Sequence, residues 1–501
     1  MKKTILLIFF SLFTLPIFAQ EKGIDQRIDE AFQPISEFFS KAVFFPIGDN
    51  PFVIYLLVGS AIFFTVYFVF PNIRYFLTSV NVVRGKYDET EKDEDDSKNG
   101  EVSHFQALTT AVSGTVGNGN IAGVALAIAL GGPGATFWMI ICGLMGMSLK
   151  FVECTLGVYY RDVDENGVVY GGPMYYLSKG LKEKGFKNLG KITAILFAIF
   201  CIGGSFGGGN AAQANQAAIV LKDLLGMEST FSGAIIGFLL AVIVGIIIIG
   251  GIKRIASVTE KIVPFMAFLY IIACLYILAV NFSFLDDAFA LIFREAFNPT
   301  AIGVGGFIGV LMIGFKRAAF SNEAGVGSAS IAHSAVKTKY AASEGLVALL
   351  EPFIDTVVIC TLTALVIITF NSAGIFNYGG EGGVMIDGVM YEGAGITSKA
   401  FAEYIPFSDI FLTVAVVLFA VSTMISWSYY GLQSWKYLFG RSYKSDLTYK
   451  LLFLSFVIIG SAASMNSIWA FSDAMIFAMV FPNMIGLYLL FPVVKNQLNK
   501  Y

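Results

Sequence analysis

Residues 111–124 read Ala111-Val-Ser-Gly-Thr-Val-Gly-Asn-Gly-Asn-Ile-Ala-Gly-Val124, which sets Gly117, Asn118, Gly119 and Asn120 in the middle of an otherwise apolar run. Inside a bilayer every backbone N–H and C=O must find a partner within the protein, so unwound backbone survives only where it lines an enclosed or watery cavity. A helix interrupted at this depth therefore marks a candidate site.

Composition decides that the surroundings are lipid. The 501 residues are 56% hydrophobic and 14% charged, with a mean hydropathy of +0.73, against about 45–50% apolar and about 25% charged in soluble domains. The chain reads as an all-α polytopic membrane protein. Its net charge of −3 says nothing about partners, because position matters more than the sum. All five cysteines lie in apolar runs without a Cys-x-x-Cys pair, which argues against disulfides or a metal site. His104 and His333 are far apart in sequence, which argues against a histidine metal centre.

Met1-Lys2-Lys3, an apolar run to Phe18 and then Ala19-Gln20 have the three sections of a secretory signal over residues 1–19. Cleavage after Ala19 starts the mature chain outside; an uncleaved anchor leaves the downstream topology unchanged. With about 20 apolar residues per crossing, eleven transmembrane helices are expected. They lie near 52–70, 105–130, 135–159, 192–221, 231–250, 258–280, 301–313, 344–370, 407–430, 449–463 and 468–494. Lys and Arg sort by loop as the positive-inside tendency requires. Inner loops hold Arg74, Arg84 and Lys86, a cluster from Arg161 to Lys191, then Lys253, Arg254 and Lys261. Farther on they hold Lys316, Arg317, Lys337 and Lys339, then Lys436, Arg441, Lys444 and Lys450. Outer loops after Phe70 hold Lys222, Arg294 and Lys399. The C-terminus is thus expected in the cytoplasm. The acidic run 88–101 reads as a solvated inner linker, and the glycine-rich stretch 371–399 as an outer loop.

Where a helix stops and restarts, the stopping half offers free carbonyls and the restarting half free N–H groups at a positive dipole end. One end suits a cation and the other an anion. Close packing of small residues is the plainer explanation of glycines, but the paired asparagines favour a ligand site. A second polar cluster is Gly207-Gly-Gly-Asn-Ala-Ala-Gln-Ala-Asn-Gln216. Amides are costly in hydrocarbon, so Asn210, Gln213, Asn215 and Gln216 need partners, water or ligand. A third cluster, Ser422-Thr-Met-Ile-Ser-Trp-Ser428, supplies hydroxyls able to complete an oxygen shell around a hard cation.

These motifs carry a resemblance. Val116-Gly-Asn-Gly-Asn-Ile-Ala-Gly-Val124, Gly131-Gly-Pro-Gly-Ala135 with Phe137-Trp138, Gly171-Gly-Pro-Met-Tyr-Tyr176, Phe320-Ser-Asn-Glu-Ala-Gly-Val-Gly-Ser328 and Asp355-Thr356 resemble the alanine/glycine:cation symporter family. The resemblance implies a leucine-transporter-like, five-plus-five inverted-repeat core preceded by one extra helix. The implied divisions are residues 20–104 (outer segment, extra helix and acidic linker), 105–282 (first repeat), 283–494 (second repeat) and 495–501 (inner tail). It also implies sodium-driven import of a small neutral amino acid, alanine or glycine, across a bacterial inner membrane. The bilayer is then the surrounding partner, with no nucleic acid and no obligate protein partner.

Carried over position by position, the resemblance assigns Gly117, Asn118 and Gly119 to the substrate carboxylate and Gln213 to its polar groups. Thr423 and Trp427 wall the side-chain pocket. Sodium is implied between Ser113, Val116, Ser422 and Thr423, with Asn120 toward a second ion. The opposing broken helix is expected to contain Gly305-Gly-Phe-Ile-Gly309, with Phe307 as a gate. Two departures bear on substrate size: Asn118 stands where the family usually has Thr, and Ile219 where an aromatic ring is common. A proton could replace sodium, with Glu153, Glu351 and Asp355 the carboxylates nearest mid-membrane depth. A channel would present a symmetric filter, and an enzyme a nucleophile–base or metal cluster that the spacing of His, Cys, Asp and Glu does not offer.

Overall fold

The computed structural model describes residues 24–48, 50–91, 100–227, 229, 231–298, 306–380, 382–463 and 465–501. The expected signal at 1–19, Gly305, and residues 92–99 of the acidic run lie outside the described residues.

Helices dominate because most of the chain is a succession of long apolar runs, and a helix satisfies its own backbone in lipid. Among the described residues seven helices are long and apolar enough to cross a bilayer, from Gly134–Tyr159 to Ile468–Lys500. His104–Thr115 and Gly119–Gly131 form a further crossing bent by 52°. Two shorter apolar helices, Phe52–Tyr67 and Ser232–Ile248, fill two more of the expected spans. Large apolar side chains on the outer surface, such as Phe238, Phe265, Phe268 and Phe293, are more than half exposed, a surface suited to lipid and not to water. Inside, helices meet through small residues. A methyl group added at Gly345 would lie 1.9 Å from Thr155 Oγ1, and one at Gly314 would lie 2.7 Å from the Ala135 carbonyl.

Two expectations change. The span placed at 301–313 is a helix over Gly306–Asn322, so Lys316 and Arg317 lie within it and not in an inner loop. Their charge is tolerated there because Asp473 accepts both, at 3.2 and 3.0 Å. The acidic run is also not wholly solvated. Asp88–Glu91 is helical, and Glu91 is buried against His104, Thr338 and Ser343.

The glycine-rich stretch expected in an outer loop folds back over the first broken helix. Gly383–Ile386 and Val389–Glu392 form an antiparallel hairpin in which Gly383 faces Glu392. The following helix, Ala394–Ala402, brings Thr397 Oγ1 to the Ile121 carbonyl at 3.2 Å. The Gly379 N–H reaches the Ala129 carbonyl at 2.8 Å. This loop thereby satisfies backbone beyond the break.

Candidate functional site at two broken helices

The first broken helix begins with a capping box: Ser103 Oγ accepts from the Gln106 N–H and Gln106 Oε1 from the Ser103 N–H, both at 3.2 Å. It stops after Thr115, where Val116 turns extended at φ −73° and ψ 95°. The chain restarts as a wide π turn over Gly119–Gly123 before regular helix resumes at Val124. Polar side chains satisfy the groups this frees. The Gly117 N–H donates to Asn120 Oδ1 at 2.9 Å, and the Asn118 N–H donates to Gln213 Oε1 at 3.1 Å. Thr423 Oγ1 donates to the Val116 carbonyl at 3.5 Å.

Gly117 is the point of closest approach. A β-carbon there would stand 2.5 Å from Thr423 Oγ1 and 3.2 Å from Gln213 Oε1, so three residues singled out in sequence crowd one position. Asn118 donates from Nδ2 to the Gln213 carbonyl at 3.4 Å, while its Oδ1 is buried with no partner among the described residues. Gly119 faces the second broken helix, its added carbon 3.4 Å from Ser321 Cα. The other fourth-span amides serve packing: Asn210 donates to the Phe453 carbonyl at 2.6 Å, and Asn215 to those of Gly460 and Ala463.

The predicted cation ligands also come together. Ser113 Oγ donates to the Ser422 carbonyl at 2.7 Å, one turn before Val116 and beside Thr423. Ser422 Oγ donates to the Phe419 carbonyl at 3.0 Å. Hydroxyl and carbonyl oxygens are thus gathered at the end of a stopped helix, where unpaired carbonyls favour positive charge.

Several residues at this centre were missed in sequence. Gly306–Asn322 stops at Glu323, which takes a left-handed φ of 54°, and Gly325 and Gly327 follow at φ 87° and 91° before Ala329–His333. This second break sits in the Ser-Asn-Glu-Ala-Gly-Val-Gly-Ser string, and its polar triplet followed by spaced glycines repeats the logic of the first. Phe307 is not brought to it. Sixteen residues separate Phe307 from Glu323, about 24 Å of helix at about 1.5 Å per residue. Phe307 instead packs edge-on against Trp138 at 5.5 Å and is 39% exposed.

Asp355, a candidate proton carrier in sequence, turns out to join the two breaks, a role its sequence position gave no sign of. It lies in a π turn over Phe353–Cys360. One carboxylate oxygen accepts from Asn120 Nδ2 at 2.7 Å; the other accepts from Ser321 Oγ at 2.9 Å and Thr356 Oγ1 at 2.7 Å. Four residues earlier, Glu351 pairs with Lys150 at 2.9 Å, both fully buried. The two histidines, distant in sequence, hold the same carboxylate, Glu344, through their Nδ1 atoms. His104 Nε2 continues to Glu91 Oε2 at 2.8 Å. Glu91 lies outside the membrane-spanning helices. Burial pushes its carboxyl up, but the His104 hydrogen bond and charge, with the Thr338 and Ser343 hydroxyls, outweigh this and hold it below the usual value of 4.5.

The family model described as the sodium:alanine symporter family matches residues 35–501. The sodium/alanine symporter AgcS of Methanococcus maripaludis is 41% identical over 449 residues, covering 89% of this chain and 93% of that protein. The amino-acid carrier protein AlsT of Bacillus subtilis is 34% identical over 453 residues, 90% and 89% of the two chains. Among solved structures, a manganese transporter from Eremococcus coleocola superposes with a TM-score of 0.51 at 14% identity, over 79% of this chain and 82% of that one. MhsT, solved with L-phenylalanine, superposes with a TM-score of 0.50 at 14% identity, over 79% and 99%. At such identity the likeness is one of fold, the leucine-transporter-like fold of multi-pass carriers. With its broken helices, its glycine-centred site and a match over nearly its whole length, the chain belongs to the sodium:alanine symporter family.

Proposed function

We propose that this secondary amino-acid transporter imports small neutral amino acids, alanine or glycine, together with sodium by alternating access. One observation carries the reading: Thr423 and Gln213 converge on Gly117 at the first break. There the N–H groups of residues 117–119 meet the substrate carboxylate, which displaces the amide oxygens of Asn120 and Gln213 that now cap those of Gly117 and Asn118. Half-helix ends at mid-membrane are how such carriers hold a carboxylate beside a cation. Gln213 holds the substrate's polar groups, and Thr423 and Trp427 wall its side chain. The co-transported sodium sits among Ser113, Val116, Ser422 and Thr423, with Asn120 toward a second ion. If both ligands favour one occluded arrangement, each raises the affinity of the other by the same factor.

The topology that goes with this reading has eleven spans, the Phe52–Tyr67 helix preceding repeats at 105–282 and 283–494. The mature N-terminus lies in the periplasm, and residues 495–501 lie on the cytoplasmic side of a bacterial inner membrane. Uptake of labelled alanine into proteoliposomes tests the function. A sodium gradient should drive accumulation, and collapse of the gradient should abolish it. Accumulation unaffected by sodium overturns the reading. The buried line from Glu91 through His104, Glu344 and His333 toward Glu351 favours a second reading, proton coupling in the same fold, which predicts uptake driven by a pH gradient without sodium.

A further inference from the structure

Trp427 stands one helical turn after Thr423 on Ser408–Phe439, so both side chains face the same way. Its indole is fixed on three sides by shape alone. A carbon on Gly209 would lie 2.1 Å from its Cγ, a carbon on Gly204 would lie 3.3 Å from its Cζ3, and Tyr430 packs edge-on at 5.4 Å. The ring is 1% exposed, so its N–H needs an acceptor within the protein. Glu323 Oε1 is that acceptor, at 3.0 Å.

Glu323 does not belong to the helix that carries Trp427. It is the first residue of the second break, buried, in a left-handed backbone conformation that a non-glycine residue keeps only where its surroundings hold it. Its other oxygen accepts the hydroxyl of Ser328, at the far side of the same break. One carboxylate therefore closes the break and orients the indole.

We propose that Glu323 is a positioning residue that fixes Trp427 in one orientation, sets the upper size limit of the amino-acid pocket and ties that limit to the state of the second broken helix. The proposal rests on the amino-acid pocket at Gly117. Trp427 forms its wall, and on the size of that pocket Glu323 acts only through Trp427, without touching substrate.

The test uses the full chain in proteoliposomes. It measures sodium-driven uptake of labelled alanine competed by glycine, alanine, serine, 2-aminobutyrate and valine, and reads the ratio of the valine to the alanine inhibition constant. Glu323→Gln keeps a carbonyl acceptor for the indole and should hold the ratio within about twofold of wild type. Glu323→Met keeps the bulk but removes the acceptor and should lower the ratio about fivefold or more. Trp427→Phe keeps a ring without the N–H and should lower it similarly; adding Glu323→Met to Trp427→Phe should change nothing further. An unchanged ratio in Glu323→Met, or an effect that persists undiminished in the Trp427→Phe background, overturns the proposal. Should Glu323→Met lose all uptake, Trp427→Phe decides: a lowered ratio supports the proposal and an unchanged one overturns it. A wild-type chain that accumulates no small neutral amino acid instead overturns the functional reading, and the proposal falls with it.

Discussion

Asn120 donates from Nδ2 to Asp355 twice, to its main-chain carbonyl at 3.1 Å and to its carboxylate at 2.7 Å. With Ser321 and Thr356 on the second carboxylate oxygen, one side chain joins the first broken helix, the helix that leads into the second break and the π turn. Both interrupted helices thus meet at one buried carboxylate, an arrangement suited to coupling their movements.

Replacing Asp355 separates its charge from its hydrogen bonds. Asp355→Asn retains an acceptor for Asn120, and the hydroxyls of Ser321 and Thr356 can rotate to suit an amide, so thermal unfolding should change little. Loss of a negative charge beside Asn120 should raise the sodium concentration for half-maximal uptake on the order of tenfold, about 1.4 kcal/mol at an effective dielectric near that of protein sites. Asp355→Ala removes the acceptors too and should destabilise the fold by about 3 kcal/mol or more. An unaltered sodium dependence in Asp355→Asn counts against a cation near Asn120.

Gly117→Ala tests the closest approach in the site. The added methyl would stand 2.5 Å from Thr423 Oγ1, below any tolerated contact, so the break or the Ser408–Phe439 helix must shift. Uptake should fall at least about tenfold, since small misplacements at a binding centre are costly. Adding Thr423→Ala makes room and should recover much of the thermal stability without the transport, because it also removes a predicted sodium ligand.

Lys150 and Glu351 form an ion pair with no exposure of either side chain. Lys150→Met leaves Glu351 with His333 Nε2, at 3.6 Å, as its one cationic neighbour among the described residues, and should cost about 3–5 kcal/mol. The double variant Lys150→Met with Glu351→Leu removes both charges and should regain most of that loss in thermal unfolding of the purified protein. A double variant no better than the single one would show that the pair gives more than mutual neutralisation.

How much of this was legible in the sequence depends on the range of each signal. The first break was readable because Gly117 to Asn120 contrast sharply with apolar flanks, and the Gln213 and Thr423 clusters because polar side chains in such runs demand partners. The second break was harder to place. Glycines 305, 306 and 309 drew attention to one end of a helix, while the interruption at Glu323 lies where the chain is already polar. Asp355 was noticed, but its partnership with Asn120 depends on a π turn, which leaves no clear periodic signature. His104 and His333 are 229 positions apart, and only tertiary packing sets both on Glu344. Lys316 and Arg317 counted as loop charges because their buried partner, Asp473, comes from a distant helix.

Glu91 offers a pH test at one end of the buried chain of carboxylates and histidines. It accepts from Thr338 and Ser343 at 2.7 and 2.9 Å on one oxygen and from Tyr501 at 3.1 Å on the other, so the ionised form is the one these donors favour. Its carboxyl is held below the usual 4.5 in the folded chain. A group with a depressed folded value binds its proton more readily when unfolded, so its stabilisation is fully present above the unfolded value and is lost as pH falls through the folded one. Glu91→Gln should therefore be less stable than wild type near neutrality, with a constant difference down to about pH 5.5 that narrows below about pH 4.5. Thermal midpoints of both proteins between about pH 7 and about pH 3.5 give the measurement. A difference that stays constant throughout would mean that Glu91 stabilises through shape alone and that its charge does not hold these segments together.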